Sequence, residues 1–219
     1  MLSEQALERI KLRRGNLHVN FPLSVDKTAL LVIDMQNAFC AKGALVETPD
    51  ARDIVPAINL ISSKCRSLSI PVIFIRHVTK AQGADIQSQL SFFANEKREG
   101  IIHQLTYDHP ESALFDTLEV KDEDLIIEKC RFSALIQGSS ILERVLRSMN
   151  RDTLIVTGTR TNICCESTVR DAMMLDFKVI VVGDAVAALN KTEHQISLDI
   201  MGEVFADVVD TEYLLKALK

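Results

Sequence analysis

The chain has 219 residues, 47% of them hydrophobic and 25% charged, which is the balance of one folded globular domain large enough to bury its core without disulfides or metals. A net charge of −5 and a pI near 5.6 exclude nucleic acid as the main partner, because phosphate binding needs a positive field. There is no run of about 18 apolar residues for a membrane span, and Met1–Gly15 is charged and lacks the apolar core of a signal peptide, so a cytoplasmic protein with no membrane partner is expected.

Taken in chain order, residues 1–27 read as an N-terminal arm. Short apolar runs rich in β-branched residues then follow at Thr28–Asp34, Pro71–Arg76, Asp124–Glu128, Thr153–Thr157 and Lys178–Val182, with a weaker one at Asp207–Val209. They show no polar alternation, as expected of strands covered on both faces of a parallel sheet. Helical stripes lie between them. Ile54, Ile58, Ile61, Cys65 and Leu68 recur at three- and four-residue spacing, with Pro56 placed where a helix start tolerates it. Similar stripes run through Ser139–Met149, Cys164–Leu175, His194–Phe205 and Glu212–Leu218. This alternation predicts an α/β fold of three layers, α-β-α, with a doubly wound, mostly parallel sheet of about six strands. Residues 1–219 form one domain, with no repeat, low-complexity tract or linker. Segment 77–121 has no clean strand and reads as an insertion that covers the site or makes a subunit contact.

The five cysteines are Cys40, Cys65, Cys130, Cys164 and Cys165. Their odd number and irregular spacing, without any C-x-x-C pair, give neither a disulfide framework nor a zinc site. Each is then a small buried hydrophobe or a nucleophile. In open α/β sheets ligands bind beyond the carboxyl ends of the strands, and three reactive residue types fall there. Asp34 ends the first strand, Lys129 ends the third, and Cys164 follows the turn T-G-T-R-T-N-I after the fourth. A helix N-terminus and a nearby lysine favour a thiolate, a carboxylate can carry its proton, and unpaired N–H groups in the turn suit an oxyanion. Taken singly, each has a plain alternative: a turn aspartate, a solvated lysine, a packed thiol. Cys165 lies about 100° further around the helix and reads as packed.

Four ordered blocks carry a resemblance. These are A-L-L-V-I-D-M-Q-N-A-F, E-K-C-R-F-S-A-L, V-T-G-T-R-T-N-I-C-C-E-S-T-V-R-D-A and V-I-V-V-G-D-A-V-A-A. Together, over about residues 28–209, they resemble the isochorismatase-like cysteine hydrolases, and more closely the carbamoyl and ureidoacrylate amidohydrolase branch. The resemblance implies that Cys164 is the nucleophile, Asp34 the general base and acid, and Lys129 the cation that positions both. It also implies a cis peptide at Thr159–Arg160, with the N–H groups of Arg160 and Cys164 as the oxyanion hole. The implied reaction is hydrolysis of a small amide, ureido or carbamoyl C–N bond through a thioester, releasing ammonia or an amine.

Phe39 and Phe132 are expected on the pocket wall, and Arg160 either meets a substrate carboxylate or lies at the surface or a subunit contact. The metal cluster of the nicotinamidases, a D-x-H pattern near the second strand, is not matched by Ile75-Arg76-His77, so no metal and no cofactor are expected. Members that cleave a vinyl ether lack the cysteine. His77 is expected at the surface or a subunit contact, and His194 as a structural residue at a helix start. A homo-oligomer, dimer or tetramer, is expected by analogy with relatives. The competing classes are a noncatalytic metabolite-binding member of the fold and a thiol redox sensor built on Cys164 and Cys165.

Overall fold

The apolar runs without polar alternation become strands whose apolar residues are buried on both sides, except in the edge strand that ends in Lys129, where Ile126 is exposed. The computed structural model describes residues 2–219. Its strands are β1 (Thr28–Ile33), β2 (Val72–His77), β3 (Leu125–Lys129), β4 (Thr153–Thr159), β5 (Lys178–Ala187) and β6 (Asp207–Val209), in one sheet of order β3-β2-β1-β4-β5-β6. Every pairing is parallel, so the sheet expected to be mostly parallel is parallel throughout. The helices are α1 (Glu4–Arg14), α2 (Asn37–Cys40), α3 (Val55–Ser67), α4 (Gln87–Leu90), α5 (Asn95–Gln104), α6 (Leu142–Ser148), α7 (Glu166–Met174), α8 (Lys191–Val204) and α9 (Thr211–Ala217).

Alternate residues of β1 feed two cores. Leu30 and Val32 pack with Ile58 and Ile61 of α3 and Leu214 of α9. Leu31 and Ile33 pack with Leu146 of α6, Val169 of α7 and Leu198 and Met201 of α8. Helices therefore cover both faces, which is why all six residues of β1 are buried and the strand shows no polar side. Among the described residues no helix is long and apolar enough to cross a membrane.

The chain moves outward from β1 to β2 and β3, then returns to the other side of β1 to lay down β4, β5 and β6. Strand order thus reverses between β1 and β4, and the crevice at their carboxyl ends is where such sheets bind ligands. Two elements differ from the sequence reading. β5 runs on to Ala187 because its register with β4 shifts between Val156 and Gly158, which adds a bulge and lets Val186 and Ala187 rejoin the ladder. The N-terminal arm contains α1, which buries only Ala6 and Ile10 and carries six charged residues out of eleven, too polar a segment to stand out. Its ends are defined by the Ser3 hydroxyl, which accepts from Ala6 N–H, and by Gly15 at φ 76°. The buried carboxylate of Asp207 then holds the arm down, accepting from the backbone N–H groups of Val19 at 2.9 Å and Asn20 at 2.7 Å.

β1 and β4 meet most closely at Gly158, which pairs with Ile33 and has φ 109°. A Cβ there would fall well inside contact distance of the Ile33 backbone nitrogen and carbonyl oxygen. Both the space and the backbone angle reserve this position for glycine. Gly158→Ala is expected to destabilise the fold by about 4 kcal/mol or more, read as a shifted urea midpoint by circular dichroism; a midpoint equal to wild type would contradict the close approach.

Candidate active site

Two strand ends deliver the charged groups. Asp34 follows β1 with φ 51°, a left-handed conformation that aspartate tolerates better than most side chains. Its N–H donates to the Ile75 carbonyl at 2.9 Å, which fixes the turn to β2. Lys129, the last residue of β3, pairs in register with His77 of β2. Its Nζ lies 2.8 Å from Asp34 Oδ2 and donates to the Arg131 carbonyl at 2.9 Å. Asp34 and Lys129 are both fully buried, so each ion relies on the other in place of water.

The thiol arrives from β4. The Thr159–Arg160 peptide is cis, and the chain then makes a wide π-type turn over Thr161–Cys165 before α7 begins at Glu166. The helix read from Cys164 onward therefore starts later, and Cys164 sits in the turn, a geometry often found at functional sites. Cys164 is buried and lies close enough to Asp34 and Lys129 for both charges to act on its thiol. Its Sγ, an Asp34 carboxylate oxygen and a His77 ring nitrogen all lie within 4.8 Å of one another.

These contacts set the protonation states. Burial, then the adjacent Asp34 charge, pushes the Cys164 thiol up to about 12, so at rest it keeps its proton. Burial raises Asp34 against the opposing pull of Lys129 and Cys164, which makes it a stronger base than an exposed carboxylate. Burial alone lowers Lys129, but Asp34 and Cys164 outweigh it and hold the ammonium above its ordinary value. The resting arrangement is an ammonium–carboxylate pair beside a neutral thiol.

Cys164 faces a cavity of about 80 Å³, room for on the order of six water-sized groups. Its walls are mostly apolar and include Phe39, Phe132 and Ile163, and one side comes from segment 84–105 through Ile86, Leu90, Phe93 and Ile101. Arg160 also lines it, but its guanidinium is turned to the loop over Val46–Thr48. Nε donates to Thr48 Oγ1 at 2.8 Å and Nη2 to the Val46 carbonyl at 2.6 Å. Arg160 thus ties that loop to the Thr161–Cys165 turn.

Cys165 points away into the helical core beside Val169 and is fully buried. His194 lies in the first turns of α8 with its Nδ1 3.0 Å from Thr161 Oγ1. Alongside it, Asn162 donates to Glu193 at 3.1 Å and the Ser197 hydroxyl donates to the Thr161 carbonyl at 3.2 Å, so α8 braces the turn from outside. His77 requires a correction. Expected at the surface, it is buried, ends β2 and lines the cavity. Gln36, within the D-M-Q-N block, was not singled out either. Its side chain accepts from the His77 N–H at 2.6 Å and donates to the His77 carbonyl at 3.1 Å and the Ser112 carbonyl at 2.8 Å. A buried glutamine two residues after the strand-end aspartate was the available signal.

By donor type, Asp34, His77 and Cys164 can ligate a metal. The Lys129 ammonium already stands 2.8 Å from Asp34, and a divalent ion between these donors would be forced against it. The set fits a proton better than a metal.

The sequence profile of the isochorismatase domain family matches residues 28–213. The chain is 30% identical over 194 residues to an isochorismatase of Bacillus subtilis, covering 89% of this chain but 59% of that protein. It is 31% identical over 192 residues to nicotinamidase 3 of Arabidopsis thaliana, covering 87% of this chain and 88% of that one. Among solved structures, a cysteine hydrolase from Pseudomonas syringae pv. phaseolicola superposes with a TM-score of 0.83 at 28% identity, covering 92% of this chain and 96% of that one.

Removing one member of a buried ion pair strands the other. Lys129→Met is expected to cost about 3–5 kcal/mol of stability, measured by urea unfolding, and Asp34→Leu combined with Lys129→Met should recover most of that loss. Equal stability of Lys129→Met and wild type would mean that the pair is not buried as described.

Proposed function

The chain belongs to the isochorismatase domain family of hydrolases, and we propose that within it this protein hydrolyses a C–N bond of a small amide, ureido or carbamoyl compound with Cys164 as nucleophile. The observation that carries this reading is the neutral thiol of Cys164 set against the Asp34–Lys129 pair at the base of a small apolar cavity. Similarity alone does not choose the bond, since an isochorismatase and a nicotinamidase match at nearly the same identity. A thiol with a proton acceptor beside it supports acyl transfer.

In the proposed sequence the substrate carbonyl faces the N–H groups of Arg160 and Cys164, which stabilise the oxyanion. Sulfur adds to the carbonyl carbon as its proton passes to Asp34. The C–N bond then breaks, Asp34 returns the proton to the leaving ammonia or amine, and a thioester remains. Asp34 next takes a proton from water, whose oxygen attacks the thioester carbonyl and restores the thiol. Lys129 keeps Asp34 anionic and in place throughout. Phe39 and Phe132 enclose the substrate, and a cavity of about 80 Å³ favours a compact one.

A redox sensor needs an accessible thiolate with a resolving partner. Cys164 is held as a buried thiol pushed up to about 12, and Cys165 is fully buried in the helical core beside Val169, so neither feature supports that class.

A panel of small amides, ureides and carbamoyl compounds, followed by ammonia release, tests the reading. Cys164→Ala is expected to lose at least about 10³-fold in kcat, while Cys165→Ala keeps most activity; equal ammonia release from wild type and Cys164→Ala would overturn it. The pH profile follows from the shifts. Asp34 must be ionised, and its pKa is raised, so activity should fall on the acid side at a pH above the ordinary carboxylate value of 3.8. Lys129 must stay protonated, and its pKa is also raised, so its loss should limit activity only above 10.5.

A further inference from the structure

Among the described residues lining the cavity, His77 is the one whose buried ring nitrogen, Nε2, has no hydrogen-bond partner. Its backbone is locked by Gln36 on both sides of the residue, and Phe132 packs edge-on to its ring at a centroid distance of 6.3 Å. The Gln89 side chain lines the cavity beside the ring. The Gln89 amide nitrogen donates to the Cys130 carbonyl at 3.2 Å, which leaves its oxygen for the imidazole. We assign the N–H of the neutral ring to Nδ1, beside that oxygen, which leaves a lone pair on Nε2. A ring nitrogen of His77 lies within 4.8 Å of an Asp34 carboxylate oxygen and of Cys164 Sγ.

Burial, reinforced by Lys129 and Arg131, keeps this imidazole well below its usual pKa and hence neutral. A neutral, fixed, unpaired acceptor buried in a ligand cavity is costly unless the ligand completes it. The group that completes it is an N–H. An ester or ether oxygen at the same place sets lone pair against lone pair.

We propose that His77 Nε2 accepts a hydrogen bond from an N–H of the substrate's scissile group, so that His77 selects amide, ureido and carbamoyl nitrogen over oxygen leaving groups. This rests on the reading of Cys164 as the nucleophile. It makes His77 a specificity-determining residue, distinct from the proton transfer carried by Asp34.

Two small alkylating reagents test it without knowledge of the natural substrate. 2-Chloroacetamide and methyl chloroacetate both transfer carbon to a thiol. The C–S bond forms as C–Cl breaks, chloride leaves and the thiol proton goes to a base. They differ in presenting N–H or oxygen beside the carbonyl. Rates of Cys164 labelling in the intact protein, followed by peptide mass analysis, are divided by the rates for free glutathione. Wild type is expected to prefer the amide reagent by about tenfold beyond glutathione. His77→Leu should bring the ratio back to the glutathione value, and His77→Gln, which keeps an acceptor oxygen, should retain part of it. A wild-type ratio equal to glutathione's overturns the assignment even if His77→Leu does not fold, and so does a ratio unchanged in His77→Leu. If neither reagent labels Cys164 in the folded protein, the nucleophile reading fails and takes this assignment with it; labelling with an unaltered ratio removes the assignment alone.

Discussion

The ion pair between Lys129 and Asp34 is the constraint around which the other parts are arranged. Two opposite charges out of water require close mutual approach and further hydrogen bonds, or the pair costs more than it returns. Here the approach is 2.8 Å and the ammonium has a second acceptor in the Arg131 carbonyl. Because the two residues end β1 and β3 with β2 between them, their contact also fixes the rim of the sheet across three strands. Apolar side chains in their place would keep the fold and lose the chemistry, so the pair is better understood as equipment of the site than as a source of stability.

The thiol is added to that pair from the other side of the topological reversal. β4 carries it past β1, the π-type turn lifts it out of helical register, and α8 holds the turn through His194, Glu193 and Ser197. The proton stays on sulfur at rest because burial and the Asp34 carboxylate both oppose a thiolate. In the proposed reaction the thiol gives up its proton only as sulfur attacks the substrate carbonyl.

Much of this was legible in the sequence, for physical reasons that can be named. Parallel strands covered on both faces leave unbroken apolar runs, so the five strong strands and even Asp207–Val209 stand out. Asp34, Lys129 and Cys164 could be placed at one rim because each ends or follows such a run. The misses are all non-local. His77 reads as the polar end of an apolar strand, and it becomes buried only because segment 84–105 folds across it. Arg160 gives no hint that its guanidinium is taken up by the loop over Val46–Thr48, more than a hundred residues earlier. α1 was hidden because its apolar residues are scattered among six charged ones, and its stability comes from caps and from contact with a distant element. Local pattern reports what a segment buries against its own sheet; it does not report what later folds over it.

The tight pairing of Gly158 with Ile33 has a bearing on how such a protein can change over time. It sets the distance between the β1 and β4 ends through backbone contact, so the spacing of base and thiol is insulated from most side-chain substitutions. The wall contributed by residues 84–105 meets the cavity through side chains, those of Ile86, Leu90, Phe93 and Ile101. Under the proposed function, chemistry and substrate choice reside in different parts of the chain. Drift in the second can explore new small molecules while the first remains intact, and that division makes the fold easy to repurpose.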